Sequence, residues 1–145
     1  MPQIATPLSL TRSVMLPQED KLEVRNRKKN LLIGLPKETD ENESRIALTP
    51  QAVELLVNNG YTILCERDAG KGANFSNAKY SDAGAFICDN KKSVYEADVI
   101  LKVAPFSAKE IELLRERQTV ISSFIVNKEA ESTLNALIAK KVNAI

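Results

Sequence analysis

Two basic residues lie beside short apolar segments, in positions where a cation could bind a ligand. Arg45 directly precedes the apolar triplet IAL, and Lys102, 57 positions later, lies within the apolar segment VILKVAP. A guanidinium offers a planar pair of donors that matches a carboxylate, whereas an ammonium can contact a ligand oxygen. The structural alternatives are a solvated surface arginine and a strand-end lysine whose amine reaches water. The residue types alone leave both alternatives open.

Other kinds of site have weaker support. The chain contains no histidine, which removes the commonest general base and the commonest metal ligand. Cys65 and Cys88 are far apart and form no C-x-x-C pattern, so we expect two buried, reduced thiols and no metal site. Residues 68–76, DAGKGANFS, contain two glycines without the G-x-G-x-x-G spacing. We interpret this segment as a sharply turning loop and not as a phosphate-binding loop.

The composition is typical of a soluble globular protein. Of the 145 residues, 43% are hydrophobic and 27% are charged, and the formal net charge is +1. This balance gives no reason to expect a nucleic-acid partner. No apolar segment has the length of a membrane span, and the N-terminal segment lacks a secretory pattern, so we expect no membrane insertion and a cytoplasmic location.

Residues 1–29 differ from the rest of the chain. They have no sustained periodicity and end in the basic run RNRKK, which is typical of a solvated face. We therefore predict an N-terminal arm at residues 1–29 and one α/β domain at residues 30–145.

From residue 30 onward, strand and helix patterns alternate. Short segments rich in Ile, Val and Leu predict six strands: Leu31–Leu35, Tyr61–Glu66, Ala85–Cys88, Val99–Val103, Thr119–Phe124 and Val142–Ile145. The intervening patterns predict five helices: one begins at Thr49-Pro50 and ends near Gly60, and the others are Ser76–Gly84, Lys91–Glu96, Ala108–Glu116 and Lys128–Lys140. The residues expected to face the core from the first, fourth and fifth helices are Val53, Leu55, Leu56, Val57, Ile111, Leu113, Leu114, Leu134, Leu137 and Ile138.

This alternation predicts an α/β fold. We expect an open, mostly parallel, Rossmann-like (flavodoxin-like) sheet with helices on both faces. Such sheets bind ligands at the carboxyl ends of their strands. Since Arg45 and Lys102 both follow predicted strands, we expect their side chains to face one cleft at this edge.

Two segments carry a family resemblance. The segment IGLPKETDENESRIALTPQAVELLVNNGYTILCERDAGKGANFSNAKYSDAGA resembles the start of alanine dehydrogenases and of the alpha subunit of proton-translocating nicotinamide nucleotide transhydrogenases. Further along, EADVILKVAPFSAKEIELL resembles the family's segment around a strand-end lysine. The resemblance extends over residues 31–145, and we consider alanine dehydrogenase the closer of the two groups.

The resemblance implies specific roles. Alanine dehydrogenases convert L-alanine, water and NAD to pyruvate, ammonia and NADH. By this resemblance, Arg45 is a substrate-binding residue that anchors the carboxylate. Lys102 is then both substrate-binding and catalytic, since it contacts the keto oxygen or assists proton transfer. The family's NAD-binding domain follows this segment, so we expect NAD to bind to that missing second domain and not to this chain. The isolated chain is expected to be inactive, and its parent to be a homo-oligomer.

The sequence departs from the alanine dehydrogenase pattern at one position. Those enzymes carry an acid–base histidine after the fifth strand, where this chain has no histidine near Val126. Transhydrogenases also lack that histidine, so a transhydrogenase alpha subunit remains an alternative. A non-catalytic ligand-binding or assembly module of the same fold is another, and a saccharopine-type dehydrogenase is a weaker match.

Overall fold

A computed structural model describes residues 30–124 and 130–145. In these two ranges the chain forms six strands and five α-helices, with a short 3-10 turn at Lys71–Ala73. In chain order the elements are β1 (Leu32–Leu35), α1 (Pro50–Asn58), β2 (Thr62–Glu66), α2 (Asn77–Asp82), β3 (Phe86–Cys88), α3 (Lys91–Tyr95), β4 (Val99–Leu101), α4 (Ala108–Leu113), β5 (Thr119–Ile121), α5 (Glu131–Ala139) and β6 (Asn143–Ala144). The predicted arm at residues 1–29 lies outside the described residues.

The six strands form one sheet in the order β3-β2-β1-β4-β5-β6. Every neighbouring pair is parallel, which confirms the predicted open α/β fold and makes the sheet wholly parallel. The strand order reverses between β1 and β4, and in such sheets this reversal opens a crevice at the carboxyl ends of the two strands.

Helices cover both faces of the sheet, as predicted. Side chains alternate along each strand, so Ile33 and Leu35 point to one face, where they pack with Val53 of α1 and Tyr80 of α2. The opposite face is built around Ile100, together with apolar residues of α4, β5 and α5: Ile111, Leu114, Val120 and Leu137. The two clusters are the halves of the core.

Gly34 allows the sheet to approach α3 closely. A Cβ at this position would lie 2.5 Å from the carbonyl oxygen of Val94 and 3.1 Å from the Cβ of Ala97. Since the first of these contacts is with backbone, a larger residue would force α3 away from β1.

The helix boundaries follow local capping chemistry. The side chain of Thr49 accepts a hydrogen bond from the Ala52 N–H, with Pro50 in the first turn, and the side chain of Ser76 accepts one from the Lys79 N–H. Gly60 has a φ of 89°, which confirms its expected left-handed conformation after α1.

Three of the details that differ from the predictions have a clear physical cause. Leu55 and Ile138 are exposed, at 64% and 72%, although both were expected in the core. Leu55 lies two positions after Val53, which places it on the far side of α1, and Ile138 lies at the rim of the apolar stripe of α5. The strand predicted at Val99–Val103 ends at Leu101. The Lys102 N–H still bonds to the carbonyl of Ile121 in β5, but the N–H groups of Val103 and Ala104 bind the side chain of Glu38 instead of a strand.

The predicted buried thiols are only partly confirmed. Cys65 is buried and Cys88 is half-buried, and both are free. Burial, followed by the neighbouring Cys88 and Glu66, raises the pKa of the Cys65 thiol to about 12. This thiol therefore stays protonated at neutral pH and acts as a small apolar side chain.

Candidate functional site

The candidate site lies where the chain leaves β1 and β4, the two strands at the reversal of strand order. The segment after β1 carries Glu38 and Arg45, and the segment after β4 begins with Lys102. Since parallel strands end at the same edge, these residues share the edge of the sheet at which open α/β proteins bind ligands.

Glu38 links the two segments. Its Oε1 accepts a 2.7 Å hydrogen bond from the Val103 N–H, and its Oε2 accepts a 3.2 Å bond from the Ala104 N–H. The same Oε2 lies 3.5 Å from the Nζ of Lys102. One carboxylate therefore satisfies the two N–H groups that would otherwise be unpaired beyond the end of β4.

Lys102 is enclosed at the centre of this arrangement. Its side chain is fully buried, and its Nζ lies 3.1 Å from the carbonyl oxygen of Pro105 and 3.2 Å from Oε2 of Glu110. With Glu38, these contacts surround the ammonium group with three acceptor oxygens, of which that of Pro105 accepts a hydrogen bond. The Nζ also lies 5.7 Å from the ring centroid of Phe106. The alternative of a strand-end lysine whose amine reaches water is therefore wrong for the described structure.

Glu110 is the second buried carboxylate beside Lys102. It accepts 2.9 Å hydrogen bonds from both the N–H and the hydroxyl of Ser107, and Lys91 lies 3.0 Å from its other oxygen. Burial opposes ionisation of Glu110, but the Ser107 and Lys91 hydrogen bonds and the two lysine charges outweigh it. Together they lower the pKa of the carboxyl to about 2. Glu110 is therefore a buried anion at neutral pH.

Tyr95 packs beside this ionic cluster. The residue is 1% exposed, and its hydroxyl has no hydrogen-bond partner in the described part of the chain. Burial first, and then the negative charge of Glu110, raise the pKa of the phenol well above its usual range. The phenol is consequently neutral, and its hydroxyl is a buried polar group without compensation.

Arg45 lies in a different environment. Its side chain is 76% exposed and forms a two-pronged pair with Glu43, with Nε–Oε1 and Nη2–Oε2 distances of 2.8 and 2.6 Å. The side-chain hydrogen bonds from Arg45, followed by its backbone N–H, lower the pKa of Glu43 to about 2. The guanidinium thus already binds a carboxylate in the geometry expected for a ligand.

A polar cleft of about 470 Å³ separates the segment after β1 from the segment after β2. Its lining carries both signs of charge and comprises Lys37, Glu38, Thr39, Asp40, Glu41, Glu43, Ser44, Arg45, Asp68, Ala69, Lys71 and Gly72. A Cβ on Gly72 would lie 2.9 Å from the carbonyl oxygen of Ser44. The glycine-containing segment therefore serves close packing against the Arg45 segment, in agreement with its interpretation as a sharply turning loop.

The two residues selected from the sequence are placed differently. Arg45 lines the cleft, whereas Lys102 lies behind Glu38, which lines the cleft and contacts Lys102. The hydrogen bonds and the charge of Glu43 raise the pKa of Arg45, and the charge of Glu38 adds a smaller contribution. Arg45 and Lys102 therefore do not share the cleft: Arg45 pairs with Glu43 on it, and Lys102 is buried behind Glu38.

Sequence reasoning missed Glu38, Glu110 and Lys91. A signal for Glu110 was present, because Ser107 and Glu110 have the S-x-x-E spacing of a capping box. Lys91 and Glu38 gave no comparable signal, since their partners lie 19 and 65 positions away.

Two further findings concern residues 30–124 and 130–145. No group of three or more His, Cys, Asp or Glu residues there could hold a metal ion. None of the helices found in those ranges combines the length and apolar character that crossing a membrane requires.

The fold and site define an α/β domain of the Rossmann class with a polar cleft at the carboxyl edge of its sheet. Comparison with known proteins is more specific, since residues 34–145 match the family described as "Alanine dehydrogenase/PNT, N-terminal domain". The chain belongs to this family.

Individual relatives come from both branches of the family. The chain is 37% identical over 115 residues to an alanine dehydrogenase from Bacillus subtilis, covering 79% of this chain and 30% of the relative. It is 35% identical over 115 residues to the alpha subunit of an NAD(P) transhydrogenase from Haemophilus influenzae, covering 79% and 22%. A solved L-alanine dehydrogenase superposes with a TM-score of 0.75 at 30% identity, covering 79% of this chain and 32% of that one. The chain therefore spans a third or less of the length of these proteins.

Proposed function

We propose that this chain is the substrate-side domain of an NAD-dependent alanine dehydrogenase-like oxidoreductase, which interconverts L-alanine and pyruvate. The observation that carries the proposal is the guanidinium of Arg45 on the cleft at the carboxyl edge of the sheet, already paired with a carboxylate. The lining of the cleft carries both lysine and carboxylate side chains. Such a mixture suits a zwitterionic amino acid better than a simple anion.

In this proposal, Arg45 anchors the substrate carboxylate. The substrate takes the place of Glu43, whose paired oxygens show the geometry that the guanidinium favours. The exchange keeps the two-pronged hydrogen bonding, so only the identity of the carboxylate changes.

Lys102 is proposed as the catalytic cation that contacts the keto oxygen. Its ammonium group is surrounded by three acceptor oxygens, so a substrate oxygen must replace one of them. The 3.5 Å contact with Glu38 is the longest of the three, and Glu38 keeps its two backbone hydrogen bonds when the contact is lost. An ammonium at this position stabilises negative charge on the oxygen as the carbonyl reacts.

NAD is proposed to be held by a second domain. A dinucleotide site requires a glycine-rich turn that leads into a helix N-terminus. The segment 68–76 instead forms a 3-10 turn at Lys71–Ala73 that packs on the Arg45 segment, and so does not fit the pyrophosphate. We expect the isolated chain to show no micromolar affinity for NAD in calorimetry and no turnover of alanine.

A transhydrogenase alpha subunit is the second candidate. The absence of histidine from the whole chain favours it, because the resemblance places an acid–base histidine in alanine dehydrogenases only. That position, near Val126, lies outside the described residues. In this case the cleft need not bind a small substrate, and a non-catalytic module of the same fold would behave likewise.

A chimera separates these candidates. The matching 115-residue segment of the Bacillus subtilis alanine dehydrogenase is replaced by this domain. Alanine-dependent formation of NADH and, in the reverse direction, pyruvate-dependent oxidation of NADH with ammonia are followed. The proposal predicts activity, and predicts that Arg45→Lys raises the pyruvate KM roughly tenfold or more, because a charge-assisted hydrogen bond is lost. A folded chimera that binds NAD but does not oxidise alanine would favour the transhydrogenase or non-catalytic alternative.

We further propose that the parent protein is a cytoplasmic homo-oligomer. Leu55, Phe86 and Ile138 are each more than 60% exposed, which suits surfaces covered in an assembly. Sedimentation of the full-length parent at several concentrations checks this, and a concentration-independent monomer would contradict it.

A further inference from the structure

The carboxylate of Glu38 is bound as a ligand would be. Its side chain is 6% exposed, and its two oxygens receive the N–H groups of Val103 and Ala104 and face the Nζ of Lys102. Two consecutive N–H groups with an ammonium form a compact anion-binding site. This site lies where the strand order reverses, which is the usual ligand position in open α/β sheets.

We propose that Glu38 is a positioning residue that fills this anion site in order to fix the segment after β1 against the end of β4. Arg45 lies on the segment after β1, seven positions after Glu38. Lys102 lies on the other side of the Glu38 contacts, at the end of β4. The Glu38 contacts therefore set the spacing between the two cations. The consequence for catalysis rests on the proposed function. The anion site, and the tether that Glu38 forms between the segment after β1 and the end of β4, do not depend on it.

Two other contacts hold the same segment and define the control. The Lys37 N–H donates a 2.8 Å hydrogen bond to Glu66, and the Thr39 hydroxyl lies 3.5 Å from Glu110. Glu66 thus holds the same segment through a carboxylate, but it does so from β2 and without contacting Val103 or Ala104. A Glu66→Ala variant is matched to Glu38→Ala in side-chain chemistry and in the segment it releases.

The test uses the 145-residue chain and ¹⁵N NMR. In Glu38→Ala, the Val103 and Ala104 amide protons should shift upfield because they lose a charged acceptor. The heteronuclear NOE of residues 39–45 should fall because the segment loses its attachment to β4. In Glu66→Ala, the Val103 and Ala104 amides should keep their wild-type shifts.

Sodium formate is the probe that separates the anion site from the tether. Formate, compared with sodium chloride at equal ionic strength, should enter the vacated site in Glu38→Ala and return both amide protons towards their wild-type shifts. It should also raise the melting temperature of Glu38→Ala more than that of wild type or Glu66→Ala. It should not restore the NOE of residues 39–45, because formate has no covalent link to them.

Several outcomes would overturn the proposal. Unchanged Val103 and Ala104 amides in Glu38→Ala would show that the site does not exist, and formate effects equal in all three proteins would show that it binds no anion. An unchanged heteronuclear NOE of residues 39–45 would show that Glu38 does not hold this segment against β4. If Glu38→Ala does not fold, Glu38→Gln serves instead: its single acceptor oxygen should leave one of the two amides shifted, and neither shifting would overturn the proposal. None of these readouts depends on alanine turnover, so a failed chimera leaves them intact.

Discussion

Replacing Lys102 by methionine tests how the buried charges stabilise the domain. Methionine keeps most of the side-chain length but removes the ammonium group and with it the contact between Nζ and the Phe106 ring. Two buried carboxylates, Glu38 and Glu110, then lose the cation that lies 3.5 and 3.2 Å from them. We expect a large loss of stability at neutral pH, because both carboxylates lose a cation in a site from which water is excluded.

The expected loss of stability depends on the hydrogen-bond donors and cations that the two carboxylates retain. Removing one partner of a buried ion pair costs about 3–5 kcal/mol. Glu38 retains its two N–H donors and Glu110 retains Lys91 and Ser107, which places the expected cost near the lower limit, about 3 kcal/mol. Lowering the pKa of Glu110 from 4.5 to about 2 corresponds to about 3 kcal/mol, of which Lys102 supplies only a part.

The pH dependence gives a second measure of the same interaction. The pKa of Glu110 is lowered on folding, so its contribution to stability is full above about pH 4.5 and disappears as the pH falls to about 2. Lys102 strengthens this lowering. The difference in unfolding free energy between wild type and Lys102→Met should therefore shrink across this range.

Urea unfolding monitored by circular dichroism is the assay. With a slope of about 1–3 kcal/mol per molar, a loss of about 3 kcal/mol lowers the midpoint by about 1–3 M. Lys109→Met, a change at an exposed residue next to Glu110, is the control and should stay within about 0.5 kcal/mol of wild type. If Lys102→Met also stayed within that range, with no change in slope, the buried network would not stabilise the fold and the reasoning would be refuted.

Three further changes test the packing around the site. Gly34→Ala should destabilise the domain by about 2 kcal/mol or more in urea unfolding, because the new Cβ meets the carbonyl of Val94 at 2.5 Å, and an effect under 0.5 kcal/mol would contradict this. Gly72→Ala should shift the amide resonances around Ser44, whose carbonyl the new Cβ would approach to 2.9 Å, and unchanged resonances would show that the two segments do not pack. Tyr95→Phe should leave stability unchanged or raise it slightly, since the hydroxyl has no partner in the described structure, and a loss above about 1 kcal/mol would reveal one.

The fold was predictable because its signals are local. Short apolar segments gave all six strands within two or three residues at each end, and Thr49, Gly60 and Ser76 marked helix boundaries through capping chemistry. The strand order was not contained in these signals. The strand order depends on which crossover connections pack against the sheet, and no single residue specifies that order.

The buried faces were predictable only in part. Val53 lies in the core as expected, but Leu55 and Ile138 are exposed because their positions on the helix point away from the sheet or beyond its edge. An apolar residue in a helix thus predicts burial only when its neighbours three and four positions away are also covered.

The candidate site was predictable only through its cations. The apolar neighbours of Arg45 and Lys102 and their positions after predicted strands indicated two ligand-binding cations, and the resemblance assigned both of them to substrate binding. The partners of Lys102 are Glu38 and Glu110, of which Glu38 lies 64 positions away in the sequence, and folding alone brings it close. The sequence therefore indicated an unusual lysine and missed the carboxylates that enclose it.

The central claim is that the cleft beside Arg45 binds a small carboxylate substrate. A ¹⁵N NMR titration of the 145-residue chain with pyruvate tests it most directly, with Arg45→Lys as the variant and Arg67→Lys as the control. Arg67 is also exposed and paired with a carboxylate, that of Asp89, but does not line the cleft.

The account predicts that pyruvate shifts the amides of the cleft in wild type and in Arg67→Lys, and that Arg45→Lys weakens this binding roughly tenfold or more. Equal titration curves for all three proteins, or shifts confined to residues outside the cleft, would contradict the claim.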